Sequence, residues 1–152
     1  MHRPIYETES NRQAQARTAK EIEEHFKCTM ISTPRMYSLD YMALRDGHPV
    51  AWVEIKERKY TLDAIKKLGG YLLSLHKLTS ARALHQITML PFILVVKLQD
   101  GTYYKSFTSD LDFIKNKISV GGRLDRGDLQ DIEPCVLIDT DSFVLIERSK
   151  HD

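Results

Sequence analysis

Asp40, Glu54 and Lys56 fall within one stretch, YSLDYMALRDGHPVAWVEIKERKY at residues 37 to 60, which reads as two strands joined by a turn. Two carboxylates and an ammonium stand where a half-buried hairpin ordinarily carries apolar side chains. Strand side chains alternate with period two, so Glu54 and Lys56 share one face while Val53 and Ile55 take the other, toward helices. The turn Arg45-Asp46-Gly47-His48-Pro49 decides where Asp40 falls. A three-residue loop, Asp46 to His48, sets Asp40 directly opposite Glu54, whereas a loop of two or four residues puts the carboxylates on opposite faces. The sequence is compatible with either register. If the carboxylates converge, they repel unless a cation lies between them. Mg²⁺ (or Mn²⁺) suits such a place, because it is bound sparsely, by one or two carboxylates plus water and substrate phosphate. Lys56 projects into the same site. Its ammonium can orient or help deprotonate an attacking water and stabilise charge on phosphorus, while the metal lowers that water's pKa. The chemistry is phosphodiester hydrolysis. A solvated strand face is the plain alternative for the same three charges.

The elements that must position these residues follow from local pattern. Helix formers run from Glu9 to about Lys27, with Ala19, Ile22 and Phe26 spaced for one apolar face. Cys28 to Ile31 is a short β-prone segment stopped by Ser32, Thr33 and Pro34. Thr61 is a plausible N-cap for a second helix carrying Leu62, Ile65, Leu68, Leu72, Leu75 and Leu78. Gly69 and Gly70 interrupt it at a cost of about 1 kcal/mol each, marking either a close backbone approach or a weak point. The apolar run PFILVVKLQ at 91 to 99 predicts a buried central strand, which Asp100-Gly101 turns into TYYKSF. A helix near Asp110 to Ile118, the loop VGGRLDRGDLQD and a strand pair at Val136 to Ile138 and Phe143 to Ile146 complete the chain. The order, α-β-β-β-α-β and then additional pieces, predicts an α/β sandwich with helices flanking a mixed central sheet.

Asp40, thirteen intervening residues, then Glu54-Ile55-Lys56, set between two helices, resembles the signature of the PD-(D/E)XK nuclease superfamily. The restriction-endonuclease-like core of that superfamily has the same succession of helix, three strands, helix and strand. The resemblance covers roughly residues 9 to 107 of an expected single domain, 1 to 152, with residues 108 to 152 as C-terminal additions. It implies a metal-dependent DNA nuclease in which Asp40 and Glu54 hold the metal and Lys56 is the catalytic lysine. Leu39 stands where the signature has proline, a common departure. Many members carry a glutamate on the first helix; Glu9 or Glu21 could serve, with Glu9 favoured as a third metal ligand. An exonuclease branch has Gln-x-x-x-Tyr on the second helix, and here Lys67 occupies the Gln position before Tyr71. Small size with little beyond the core is similar to archaeal or phage Holliday junction resolvases and phage endonucleases, which would act in the cytoplasm of a bacterial or phage-infected cell.

Composition sets the remaining bounds. A formal net charge of +1 argues against a uniformly basic nucleic-acid coat but allows a local basic cleft. Arg58, Lys59, Lys66, Lys67, Arg123 and Arg126 could form such a DNA-binding rim, with Tyr71 stacking on bases; solvated surface and apolar core are their ordinary roles. No apolar run approaches the roughly 20 residues that span a bilayer, and the start, MHRPIYETESNRQ, lacks the layout of a secretory signal, so no membrane association is expected. Cys28 and Cys135 lack metal-ligand spacing and read as reduced, buried thiols. The six histidines form no H-x-x-x-H pair, Gly121-Gly122 lacks the lysine and hydroxyl of a P-loop, and no serine sits in a nucleophile elbow. The rival to a nuclease is a non-catalytic module holding DNA or a protein partner on the same fold, and a homodimer is compatible with either.

Overall fold

The computed structural model describes residues 8–34, 38–122 and 132–148. Helix α1, Glu9–Phe26, starts at Thr8, whose hydroxyl accepts from Asn11 N at 3.2 Å, and stops at Lys27, which adopts a left-handed φ of 53°. It buries Ala19 and Ile22 against Ala43, Ala51, Val53, Ile55 and Val95. Those partners lie on a six-stranded sheet built from β1 (Thr29–Ser32), β2 (Tyr41–Arg45), β3 (His48–Glu57), β5 (Phe92–Lys97), β6 (Gly101–Phe107) and β9 (Val144–Arg148), in that spatial order. Only β3 and β5 run parallel; every other neighbouring pair is antiparallel. The expected mixed sheet flanked by helices is therefore present. Phe92, Leu94, Val95 and Val96 are buried and Ile93 half-buried, because β5 is covered on both faces.

A second layer covers the opposite face. It contains α2 (Leu62–Lys67), α3 (Leu75–Thr88), α4 (Asp110–Ile114) and a three-stranded sheet ordered β4 (Tyr71–Ser74), β8 (Ile132–Ile138), β7 (Lys117–Gly122). Trp52, Leu94, Phe92 and Phe107 from the main sheet pack there on Tyr71, Leu73, Leu78, Ala81 and Ile138. Trp52 Nε1 also donates to Thr88 Oγ1 at 3.1 Å, tying the end of α3 to β3.

The single second helix expected from the leucine spacing is instead α2, β4 and α3. Gly69 and Gly70 take φ of 98° and 137°, conformations that break a helix and that L residues resist. At Gly70 a Cβ would lie 2.7 Å from the Ile138 carbonyl oxygen, so the close backbone approach is literal: β4 there meets β8. Lys67 ends α2 and Tyr71 begins β4, so the two do not form a Gln-x-x-x-Tyr-like element on one helix. The C-terminal segment also differs from expectation. Residues 117 to 122 form strand β7 rather than helix and loop, and the final two strands join different sheets instead of pairing. Far from being peripheral, β8 occupies the middle of the second sheet and buries Val136 and Ile138 in the core. Among the described residues no helix is long and apolar enough to cross a membrane. Both cysteines are free thiols; Cys135 is buried and Cys28 half-buried.

Candidate active site

The β2–β3 hairpin reaches the register that aligns the two carboxylates, but not by the expected route. Its loop has two residues, Asp46 and Gly47, both with positive φ (51° and 77°), as a tight primed turn requires. Continued without interruption, that turn would place Asp40 and Glu54 on opposite faces. Instead Leu44 pairs with Pro49 while Ala43 pairs with Ala51, leaving Val50 as the extra residue of a β-bulge. The bulge shifts the register by one, Tyr41 then pairs with Val53, and one step further Asp40 stands opposite Glu54.

Asp40 is held from three sides. Thr33 N donates to its carbonyl at 2.9 Å, and the Thr33 hydroxyl bonds the carbonyls of Leu39 and Asp40. Its carboxylate Oδ2 accepts from Ile55 N at 2.9 Å and from Gln15 Nε2 at 3.5 Å. Gln15 Nε2 also lies 3.4 Å from the Ile55 carbonyl, so this α1 side chain bridges both strands. Burial, then the charge of Glu54, push the Asp40 carboxyl up to about 6, against the Ile55 hydrogen bond and the two nearby ammonium groups of Lys56 and Lys77.

Glu54 is fully buried. Lys56 Nζ and Lys77 Nζ lie 3.0 Å and 3.1 Å from its Oε1 as ion pairs, whereas Oε2 has no partner among the described residues. Burial pushes the Lys56 ammonium down, but the charges of Glu54, Tyr71 and Asp40 raise it by more, so its pKa lies above the ordinary lysine value. In the metal-free site it is an ammonium suited to stabilising negative charge. Tyr71 is buried, its hydroxyl has no hydrogen-bond partner among the described residues, and burial raises its pKa; its phenol lies within electrostatic reach of Lys56 and Glu54.

The remaining expected site residues fall elsewhere. Glu9 is an exposed first-turn residue of α1, 3.9 Å from Arg12 Nη1, and does not join the acidic pair. Glu21 is engaged by Lys97 Nζ and the Thr102 hydroxyl, both at 2.7 Å. Tyr71, expected to stack on bases, is core, with the Arg58 guanidinium 5.9 Å from its ring centre. Lys59 is exposed, Lys66 pairs with Asp141 and Lys67 with Asp63, each at 3.1 Å. Arg123 and Arg126 lie outside the described residues.

Two residues at the site escaped the sequence reading. Gln15 lies on the α1 stripe of Ala19, Ile22 and Phe26, one step of four before Ala19, where a polar residue on an apolar face was the available signal. Glu9 is about 120° away from that stripe. Lys77 shares a face of α3 with Ala81 and Thr88, a phase hidden while Leu62 to Leu78 read as one helix.

The chain matches, over residues 1–146, the model of the family described as "Phage putative PDDEXK endonuclease". It belongs to this phage PD-(D/E)XK endonuclease family. Its fold is similar to that of Hjc, a Holliday junction resolvase from the archaeal hyperthermophile Archaeoglobus fulgidus, with a TM-score of 0.50, 14% identity, and 86% of this chain and 90% of that chain covered. At that identity the likeness concerns the fold. No curated protein matches the chain. For a member of this nuclease family, the donor set has a direct meaning. Two carboxylates without a third acidic, histidine or cysteine side chain among the described residues fit a hard cation completed by water and phosphate, and do not fit structural zinc. The unpartnered Oε2 of Glu54 is where such an ion would find its ligand.

Proposed function

We propose that the protein is a Mg²⁺- or Mn²⁺-dependent DNA endonuclease, with Asp40 and Glu54 holding the ion and Lys56 acting on the phosphate. The observation that carries this reading is the buried Glu54, whose Oε2 has no partner among the described residues while Asp40 stands opposite and Lys56 lies 3.0 Å from Oε1. A carboxylate sealed in a fold is costly unless both its oxygens are met, and the two ammonium groups reach only Oε1. When bound, the ion would polarise the phosphate and make attacking water more acidic. Lys56, as an ammonium, stabilises the charge that develops on phosphorus and is available to protonate a leaving oxygen. Gln15, donating to both Asp40 and the Ile55 carbonyl, keeps the two strands at fixed spacing.

The substrate is duplex DNA with branched or otherwise distorted structure, met by a homodimer. Support for this finer reading is the fold shared with a Holliday junction resolvase. Linear, circular and four-way-junction DNA incubated with Mg²⁺, Mn²⁺ or EDTA separate the possibilities. Junction cleavage that requires metal and disappears in folded Glu54→Ala and Lys56→Ala proteins supports the proposal. Cleavage undiminished in both variants sinks the site, and preference for linear ends would make the enzyme an exonuclease. Light scattering of the purified protein tests the dimer.

A further inference from the structure

We infer that Lys77 is a built-in counter-ion that holds Glu54 in the metal-free protein and must release it for metal to load, so that it sets the metal concentration at which the site fills. This rests on the acidic pair being a metal site, as proposed above. Lys77 comes from α3, not from the hairpin, and its ammonium does two things at once. It stands 3.1 Å from Glu54 Oε1 and donates to the carbonyl oxygen of Ser38, two residues before Asp40. One cation thus ties the two strands that carry the carboxylates to the helix layered over them. Its side chain is 21% exposed, so its head has a route to solvent that Glu54, at 1%, lacks.

Lys56 already neutralises Glu54, at 3.0 Å. A second ammonium at the same oxygen leaves a surplus of positive charge around one carboxylate. Asp40 balances that surplus in the empty arrangement, but an added divalent ion would face two ammonium groups at close range. In so buried a place the repulsion is strongly felt. Lys56 is one strand position from its neighbours and its backbone is fixed in the middle of the sheet. Lys56 is the more exposed of the two, 31% against 21%, but the proposed reaction needs it on the phosphate, so the release is assigned to Lys77, in the first turn of α3. Once displaced, its ammonium remains beside the site and is free to meet a DNA phosphate.

Calorimetric titration of Mn²⁺ into metal-free protein, without DNA, reads this directly, with thermal melting in EDTA alongside. Lys77→Met should bind Mn²⁺ about tenfold more tightly and melt at lower temperature in EDTA, whereas Lys77→Arg, which keeps the charge, should retain the parent's weak affinity. Equal Mn²⁺ affinity in parent and Lys77→Met, or weaker affinity in a Lys77→Met protein with parental circular dichroism, overturns the inference. Should Lys77→Met not fold, Lys77→Gln and Lys77→Arg give the same contrast, and identical affinities for those two overturn it equally. A parent protein that binds Mn²⁺ but shows no Lys77 effect refutes only the counter-ion; a parent that binds no Mn²⁺ and cuts no DNA refutes the nuclease reading itself.

Discussion

Replacing Asp40 by asparagine should make the metal-free protein more stable. In the fold the carboxyl is raised to about 6 from an ordinary 3.8, first by burial and then by Glu54. The native state therefore keeps a proton between pH 3.8 and about 6 that the unfolded chain has already released. Stability contributed by the neutral form is complete below pH 3.8, drains away as pH rises, and is gone above about 6. The gap corresponds to about 3 kcal/mol at 1.36 kcal/mol per pH unit. Asparagine resembles the neutral acid in shape, and its oxygen can still accept from Ile55 N, the 2.9 Å bond that anchors the strand. Urea unfolding in EDTA at pH 4 and pH 8 should show Asp40→Asn within error of the parent at the lower pH and more stable by up to about 3 kcal/mol at the higher. In the parent, excess Mn²⁺ should restore stability at pH 8 by binding the ionised form; in Asp40→Asn it should do so weakly. A variant no more stable than the parent at pH 8 would refute the claim that ionised Asp40 is strained in the empty site. The expected gain is the stability given up to hold an ionised Asp40 in a buried place beside Glu54.

Lys56→Ala should lower the cleavage rate by about 10²–10³ while binding Mn²⁺ at least as well as the parent, because an ammonium is lost and no ligand is; calorimetry paired with single-turnover cleavage checks the split. Gly70→Ala should destabilise by about 2–4 kcal/mol in urea unfolding, since its Cβ would press on the backbone oxygen of Ile138, which cannot swing aside as a side chain can. DNA affinity measured in Ca²⁺ should fall with salt at a slope of about −0.9 per phosphate contacted, and Lys59→Ala should reduce that slope by about one contact; a parent with a flat salt response removes the basic rim. The exposed pairs of Lys66 with Asp141 and Lys67 with Asp63 should not blunt this response, as such pairs yield readily to phosphate.

The parts of the fold legible in the sequence are those whose period is clean and whose partners are near in the chain. The α1 stripe of Ala19, Ile22 and Phe26, the unbroken apolar run of β5 and the Asp100-Gly101 turn all announce themselves. The leucines from 62 to 78 mislead because their spacing suits a helix while their environments differ: Leu68 is 69% exposed, Leu73 and Leu78 are buried. Backbone conformation at Gly69 and Gly70 overrides the pattern there. Strands β8 and β9 follow one another closely, yet a 3₁₀ turn at Thr140–Ser142 sends them to separate sheets, a long-range choice no local signal encodes. At the site, Asp40, Glu54 and Lys56 are visible because three charges violate a strand's alternation. Gln15 and Lys77 are single polar residues on helix faces, and their importance lies in what they touch across the sheet.

The bulge at Val50 has a consequence for how related chains can vary. Thirteen residues separate Asp40 from Glu54, but that number is not itself the requirement; what must hold is its parity through the hairpin. The tight turn supplies the wrong parity and the bulge corrects it. A relative that lost Val50 itself would lose the bulge with it and keep its acidic side chains opposite across an unbroken hairpin, whereas one that lost a paired residue between Tyr41 and Val53 and kept the bulge would have them part to opposite sides of the sheet with both still present in the sequence. Spacers of different length can therefore carry the same active site, and a spacer of identical length that keeps the two-residue turn but erases the bulge can carry none.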